Sequence, residues 1–270
     1  MNARDSARRQ RPHGLGPEGE AAIASLLARR PLLAFDFDGT LAPIVPVPTD
    51  AKLSRAVASR LAALSQRLPV AVISGRSLAD LRQRLGFEPG YLVGSHGAED
   101  PDDPAAAAAR RLALEPMRAH LRSRRDLLHR AGVMVEDKGL SLALHHRLSP
   151  SQPAARVAIE AVLADRPPGL EVFGGKRVVN LVPAGSPDKA DALLALVQRC
   201  GADTALFVGD DVNDEPVFDR APPHWLTLRV GRDARSRARF YLDSPADVAM
   251  LLERLRAQLD ARAAGRQGRV

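Results

Sequence analysis

What this 270-residue chain has little of narrows its class before any motif does. It carries a single cysteine, Cys200, which excludes an intramolecular disulfide and fits a reducing compartment. With no partner at metal-ligand spacing, that thiol reads as a small buried apolar side chain. Aromatic residues make up only 4% of the chain, so a core must be packed mainly from aliphatic side chains. No uninterrupted apolar run of about 18 residues occurs, which excludes a membrane-spanning helix. Arg4, Arg8, Arg9 and Arg11 have no apolar segment behind them and do not make a secretory signal, so the cytoplasm is the expected location. Positive charge is in excess, 39 Lys and Arg against 32 Asp and Glu, a formal +7. The arginines are scattered along helical stretches and tails without interleaved aromatics, the pattern of a solvated surface and not of a nucleic-acid site. An electropositive mouth for a small anionic substrate would use some of the same charge.

What is present begins with 45% hydrophobic residues, enough for a proper core in one or two domains of roughly 100–200 residues each. The most informative stretch is Asp36-Phe37-Asp38-Gly39-Thr40, which places two carboxylates at the end of the apolar run Leu32–Phe35. Read alone, Asp-x-Asp-Gly is a turn after a strand. Read as chemistry, Gly39 allows a sharp turn that leaves backbone amides free to face an anion. One carboxylate can attack phosphorus to form an aspartyl phosphate, and the other can protonate the leaving oxygen and later activate water.

Three further segments favour the second reading. Val70–Ile73 runs into Ser74-Gly75-Arg76, a hydroxyl, a flexible residue and a cation. Lys189 heads an apolar helix pattern through Ala192, Leu193, Leu196 and Val197. Ala205–Val208 ends in Gly209-Asp210-Asp211-Val212-Asn213-Asp214, a second acid cluster. In parallel α/β sheets, loops at the carboxyl ends of strands share one edge, so Asp36, Ser74 and Asp210 are expected to meet.

These four segments, in this order, resemble the haloacid dehalogenase superfamily of phosphohydrolases. The resemblance implies an α/β fold, a Rossmannoid core of parallel sheet flanked by helices, with an inserted α+β cap. It implies Asp36 as nucleophile and Asp38 as general acid and base. Thr40, Ser74 and Gly75 would hold the phosphoryl group, with Lys189 neutralising charge that develops on it. Magnesium is the implied ion, held by Asp36, the backbone carbonyl of Asp38, and Asp210. Asp214 would support Lys189 or the outer ligand shell. Asp211 could serve either way or simply cap the following helical turn.

A narrower resemblance, covering Leu32 to Leu259, is to the trehalose-6-phosphate phosphatase family. It rests on Leu41-Ala42-Pro43-Ile44, Gly94-Ser95-His96-Gly97-Ala98-Glu99, Val135-Glu136-Asp137-Lys138-Gly139, His145-His146-Arg147 and Ala238–Leu242 before Pro245. It implies hydrolysis of trehalose 6-phosphate, a small-molecule sugar phosphate; the charge pattern and apolar runs above point to no nucleic-acid or membrane partner, and the residues are compatible with a monomer without fixing the oligomeric state. Two departures bear on the sugar, a third on the family name, and none on the reaction. Asn180 stands where the family tends to carry glutamate, Pro187-Asp188 precedes Lys189 where a tryptophan is usual, and Val212-Asn213-Asp214 replaces the more usual Arg-Thr-Asp. Phosphatases of sucrose-, mannosyl- or glucosylglycerate-type phosphates therefore stay open, as does a silent sugar-phosphate sensor, although a sensor predicts loss of a nucleophile that is present.

Along the chain, residues 1–30 read as a disordered or helical extension, 31–105 and 183–262 as a discontinuous core, 106–182 as the cap, and 263–270 as a disordered tail. Helices are predicted over Leu53–Leu68, Leu78–Leu85 and Arg110–Arg130. The cap pattern is strands near Gly132–Glu136 and Leu140–His146, a helix from Pro153 to Asp165, then strands at Leu170–Phe173 and Lys176–Val182, with Gly174-Gly175 as a hairpin signal. Glu136, Lys138, His145, Arg147 and Asn180 are the candidate sugar contacts, although a half-exposed sheet would also carry polar residues there. Arg76 could contact phosphate or sugar, or be a helix-start arginine paired to a surface acid. His96 is expected near the crevice as a structural hydrogen bonder, outside the catalytic set.

Overall fold

The computed structural model describes residues 11–45, 50–175 and 177–267. In chain order, helix α1 (Pro17–Leu27) precedes β1 (Pro31–Phe35), α2 (Arg55–Ser65), β2 (Val70–Ile73), α3 (Leu78–Leu85) and β3 (Tyr91–Val93). Next come α4 (Pro104–Ala113), α5 (Glu115–Ser123), α6 (Arg125–Arg130), β4 (Met134–Asp137), β5 (Leu142–His145), α7 (Gln152–Ala164), β6 (Leu170–Gly175) and β7 (Val178–Pro183). The chain then runs through α8 (Lys189–Arg199), β8 (Thr204–Gly209), α9 (Glu215–Arg220), β9 (Leu226–Val230), β10 (Phe240–Leu242) and α10 (Pro245–Gln267).

All five residues of β1 and all six of β8 are buried, as a strand covered on both faces requires. Alternation decides which way each one points. Leu33 and Phe35 pack with Ile23, Leu61 and Leu251 from α1, α2 and α10, whereas Leu32 and Ala34 pack with Leu193, Leu196 and Phe218 from α8 and α9. The result is a parallel six-stranded sheet, ordered β10-β9-β8-β1-β2-β3, between two helical layers.

The segment between β3 and α8 builds a different object, an antiparallel sheet ordered β4-β5-β7-β6. Leu142, Leu144 and Leu181 on one of its faces form a separate core with Met117 and Leu121 of α5, Leu128 of α6, and Ile159 of α7. The alternate residues face the parallel sheet. This is the α+β pattern expected for a cap.

Local chemistry sets the helix ends. Ser54 and Ser77 cap α2 and α3 through Val57 and Asp80 amides, and Asp188 forms a capping box with Asp191 at the start of α8. The helix predicted over Arg110–Arg130 is instead three short helices. Pro116 lacks an N–H and its ring would crowd the carbonyl four residues back, so α4 cannot run into α5, and the fully buried Leu114 marks the joint. The second break, at Arg124 with φ −102° and ψ 9°, has no signal in the sequence.

Of the extension predicted over 1–30, residues 17–27 form α1, with Ile23, Leu26 and Leu27 as its buried stripe. Residues 12–14 hydrogen-bond along β10, Gly14 N to Tyr241 O at 2.8 Å. Residues 1–10 lie outside the described ones. At the other end α10 continues through 263–267, where a disordered tail is predicted, because Ala263, Ala264, Arg266 and Gln267 are good helix formers and, despite Gly265, extend a helix already nucleated on the core. Residues 268–270, and Lys176 in the predicted strand Lys176–Val182, are outside the described set.

Candidate active site

Parallel pairing brings the motifs together. Phe35 pairs with Val208 on one side and Val72 on the other, so Asp36, Asp210 and Ser74 emerge at the same sheet edge. The Asp36 amide still bonds to the Val208 carbonyl at 2.9 Å, which ties the first acid to the strand that delivers the second cluster. Gly39, at φ +78°, is needed there: a Cβ would run into the Asp210 carboxylate.

The most enclosed charges of the described residues lie at this edge. Lys189, at the first turn of α8 and 2% exposed, reaches Asp36 Oδ1 at 2.9 Å and Asp214 Oδ1 at 2.7 Å. The other Asp214 oxygen accepts the Asp210 and Asp211 amides, each at 2.9 Å. Carboxylate oxygens of Asp36, Asp210 and Asp214 lie within 4.8 Å of one another. Burial pushes the Asp36 carboxyl well above the usual carboxylate range, the Lys189 ammonium opposes this, and the Asp214 and Asp210 charges reinforce it. Burial alone would lower the Lys189 ammonium, but Asp214 and Asp36 outweigh it and hold it above its ordinary value. Three buried acids against one ammonium leave excess negative charge in a low-dielectric place. Hard oxygen donors and that charge fit a divalent cation.

Asp38 takes a different position. Its side chain is 40% exposed toward the cleft and is grasped by Arg76, Nε to Oδ2 at 2.6 Å and Nη2 to Oδ1 at 2.7 Å. Arg76 Nη1 also reaches Asp80 Oδ2 at 2.7 Å, and Asp80 is bonded in turn by Arg84. The arginine predicted to contact substrate is therefore turned onto two acids. For Asp80 this is the helix-start pairing of the alternative reading, and Asp38 is added to it.

Ser74 lines the cleft beside Gly75. Thr40 does not: it is fully buried, and its Oγ1 has no hydrogen-bond partner among the described residues. Asp214 is likewise fully enclosed and serves Lys189. Asp211 borders the cleft and also caps the helical turn Val212–Asp214, so the capping alternative is realised.

Across the cleft lies the face of the antiparallel sheet. Glu136 pairs in register with Ala143, and Ala143 with Asn180, which puts Glu136, Asn180, Lys138 and His145 on the side facing the acids. His145 Nε2 lies 2.7 Å from Glu136 Oε2, and Lys138 Nζ lies 3.9 Å from it. The His145 hydrogen bond, against the cost of burial and with help from Lys138, holds the Glu136 carboxyl below its usual range. Arg147, exposed on the loop after β5, also lines the cleft, which encloses about 640 Å3.

His96, expected near the crevice as a structural hydrogen bonder, is at the crevice, but its buried Nδ1 has no hydrogen-bond partner among the described residues. It lines the cleft at φ +61°, its ring edge-on to Phe173 of β6 with centroids 5.4 Å apart. Burial, then Lys189 and Lys138, push its imidazole well below the usual range, so it is neutral. A histidine between glycines, in Gly94-Ser95-His96-Gly97, was the available signal.

A parallel sheet whose strand ends gather an Asp-x-Asp pair, a serine, a helix-borne lysine and a second acid cluster beneath an inserted α+β unit is the fold of the haloacid dehalogenase superfamily. Solved structures agree. The C-terminal domain of a C. albicans trehalose-6-phosphate phosphatase superposes with TM-score 0.74 at 22% identity, over 92% of this chain and 99% of that one. A sucrose-phosphatase of Synechocystis sp. PCC6803, in complex with sucrose and phosphate, gives TM-score 0.55 at 19% identity, over 84% and 98%. The chain belongs to the trehalose-phosphatase family, whose match runs over residues 34–242. A trehalose-phosphate phosphatase of Mycobacterium tuberculosis is 37% identical over 249 residues, covering 87% of this chain. The match spans 63% of that relative's length. Among the described residues no helix is long and apolar enough to cross a membrane.

Proposed function

We propose that this chain is a magnesium-dependent phosphatase that hydrolyses trehalose 6-phosphate to trehalose and inorganic phosphate through an aspartyl phosphate on Asp36. The observation that carries the proposal is the buried Asp36–Lys189 contact beside Asp210, at the floor of a cleft whose opposite wall is polar. Asp36 is the nucleophile. A carboxylate oxygen of Asp36 forms a bond to phosphorus as the ester O–P bond breaks, and Asp38 gives its proton to the departing sugar oxygen. A water molecule then loses a proton to Asp38 and attacks the phosphorus, freeing Asp36 and phosphate.

Lys189 offsets charge on the phosphoryl oxygens, and Ser74 and Gly75 donate to them; Thr40 supports the loop from below. Both Asp214 oxygens already accept bonds, from Lys189 and two amides, which leaves Asp36 and Asp210 of the acid cluster to hold a cation; by the family resemblance the Asp38 carbonyl would join them, with Asp214 and Asp211 supporting. Bound there, magnesium would polarise the phosphoryl group. Glu136, Lys138, His145, Arg147 and Asn180 contact the disaccharide, and Arg76 acts on the same cleft from the core side.

Residues 31–105 and 183–262 form the core and 106–182 the cap, whose closure excludes bulk water from the phosphorylated Asp36. A reducing, cytoplasmic setting is the reading that the single cysteine supports. Asn180 favours a second reading. Buried on the cap face where the family tends to carry glutamate, its amide offers a donor as well as an acceptor, which suits another disaccharide phosphate. Phosphate release from a panel of phosphorylated disaccharides, with and without magnesium, tests both. Fastest release from trehalose 6-phosphate, abolished when magnesium is withheld, is expected, and preference for another sugar ester would reject the first reading.

A further inference from the structure

We propose that Arg76 is a positioning residue for Asp38, a brace that fixes the acid and base group in the cleft, and that Asp80 holds the brace. The inference rests on the phosphatase reading above. Arg76 offers five N–H donors in a rigid fork that matches a carboxylate edge, and here Nε and Nη2 take both Asp38 oxygens while Nη1 takes Asp80. The burial is lopsided in the way a brace needs. All three groups line the cleft, but the Arg76 side chain is 12% exposed against 31% for Asp80 and 40% for Asp38, so the arginine is the most enclosed of the three.

Every part of Arg76 is anchored. Its amide donates to Ser74 Oγ at 3.3 Å, its carbonyl accepts the Ser95 amide at 2.8 Å, and its guanidinium lies 5.5 Å from the centroid of the Phe37 ring. Asp80, on the first turn of α3, is held from the far side by Arg84, which donates to the Ala51 carbonyl at 3.2 Å. Arg84 is itself buried. The chain Asp38–Arg76–Asp80–Arg84 thus runs from the cleft into the body of the fold.

The brace does not block the chemistry. Each carboxylate oxygen has two lone-pair sites, and a bidentate guanidinium occupies one on each, leaving the other pair for a proton in transit. Without the brace, Asp38 would be a half-exposed side chain free to turn into solvent, and proton delivery to the leaving oxygen depends on hydrogen-bond reach. This role differs from a substrate contact in what it predicts: Arg76 matters only through Asp38.

Double-variant kinetics separate the two. The value of kcat/KM reads the step in which the ester O–P bond breaks, and a sugar alkoxide needs the proton that p-nitrophenolate does not. Arg76→Ala is expected to lower kcat/KM on trehalose 6-phosphate by about 100-fold, within the range for a lost general acid, and on p-nitrophenyl phosphate by less than about fivefold. In an Asp38→Asn background the same change should cost nothing further. Added guanidinium ion should restore part of the Arg76→Ala loss. Equal losses on the two esters, or a further loss in the Asp38→Asn background, would overturn the brace in favour of a phosphate or sugar contact.

Should Arg76→Ala fail to fold by circular dichroism, Asp80→Asn reads the same signature, a loss selective for the sugar ester that vanishes in the Asp38→Asn background. A loss from Asp80→Asn that persists in that background would overturn the proposal. Asp36→Asn assayed in parallel keeps the two levels apart. Surviving turnover there rejects the covalent reading itself, whereas abolished turnover with additive Arg76 and Asp38 effects rejects only the brace.

Discussion

The edge of the six-stranded sheet and the face of the four-stranded sheet look at each other across one cleft, yet they are built by different physics. The edge concentrates buried charge: Lys189 at 2% exposure sits between Asp36 and Asp214, whose amide bonds leave little freedom. The opposing face is wetter and looser, with Glu136 exposed, His145 as its near partner and Lys138 at 3.9 Å. Buried ions are costly unless each is matched, so the edge tolerates almost no change and suits a reaction that is the same for every substrate. A half-exposed polar face can vary at small cost, which suits recognition of one sugar among many.

The largest effect that would break this comparison is at the edge. Asp36→Asn keeps the side-chain volume and removes the proposed nucleophile, and turnover of every phosphate ester should fall to background while the thermal midpoint holds. Next is Lys189→Met, which leaves Asp36 and Asp214 buried without their cation. Denaturant unfolding should show about 3–5 kcal/mol of lost stability, together with lost activity. On the opposing face Lys138→Ala should weaken kcat/KM on trehalose 6-phosphate by roughly tenfold, as one lost charged contact does. A small phosphate ester should be left nearly unaffected, and equal losses on both would end the division of labour between the two regions.

Much of the edge could be read from residue order because each motif is contiguous and follows a buried strand. Asp36, Ser74 and Asp210 needed only the rule that parallel strands end together, and Lys189 only its place at the head of α8. The face was legible as alternation in β4, β5 and β7, which placed Glu136, Lys138, His145 and Asn180 on one side. What could not be read depends on tertiary approach. The turn of Arg76 onto Asp38 joins residues 38 positions apart, and the left-handed backbone of His96, set against Phe173 of the cap, follows from packing that no local pattern announces. Thr40 lay in a motif that favoured phosphate contact, but the loop folds over it and encloses the hydroxyl.

The smallest expected effect is on acid stability. Asp80 is held below its usual range by hydrogen bonds from Arg84 and, against burial, from Arg76, and Glu136 by the bond from His145. A carboxyl with a depressed folded-state pKa binds fewer protons folded than unfolded. Its stabilisation is therefore complete above the unfolded value of about 4 and is lost as the pH falls through the lower folded value. Unfolding free energy measured from pH 6 to pH 2 should decline below about pH 4. Asp80→Asn should flatten that decline more than Glu136→Gln, because the Asp80 side chain is 31% exposed and that of Glu136 47%.

The most direct measurement is a trap for the proposed covalent intermediate. Protein mixed with trehalose 6-phosphate and magnesium is quenched in acid within the first turnover and reduced with borohydride, which converts an acyl phosphate to homoserine, and the peptide carrying residues 31–45 is sequenced by mass. Homoserine at position 36, absent without substrate, is the predicted result. Turnover that proceeds with Asp36 unmodified at every quench time, or homoserine at position 38 or 210 instead, would contradict it.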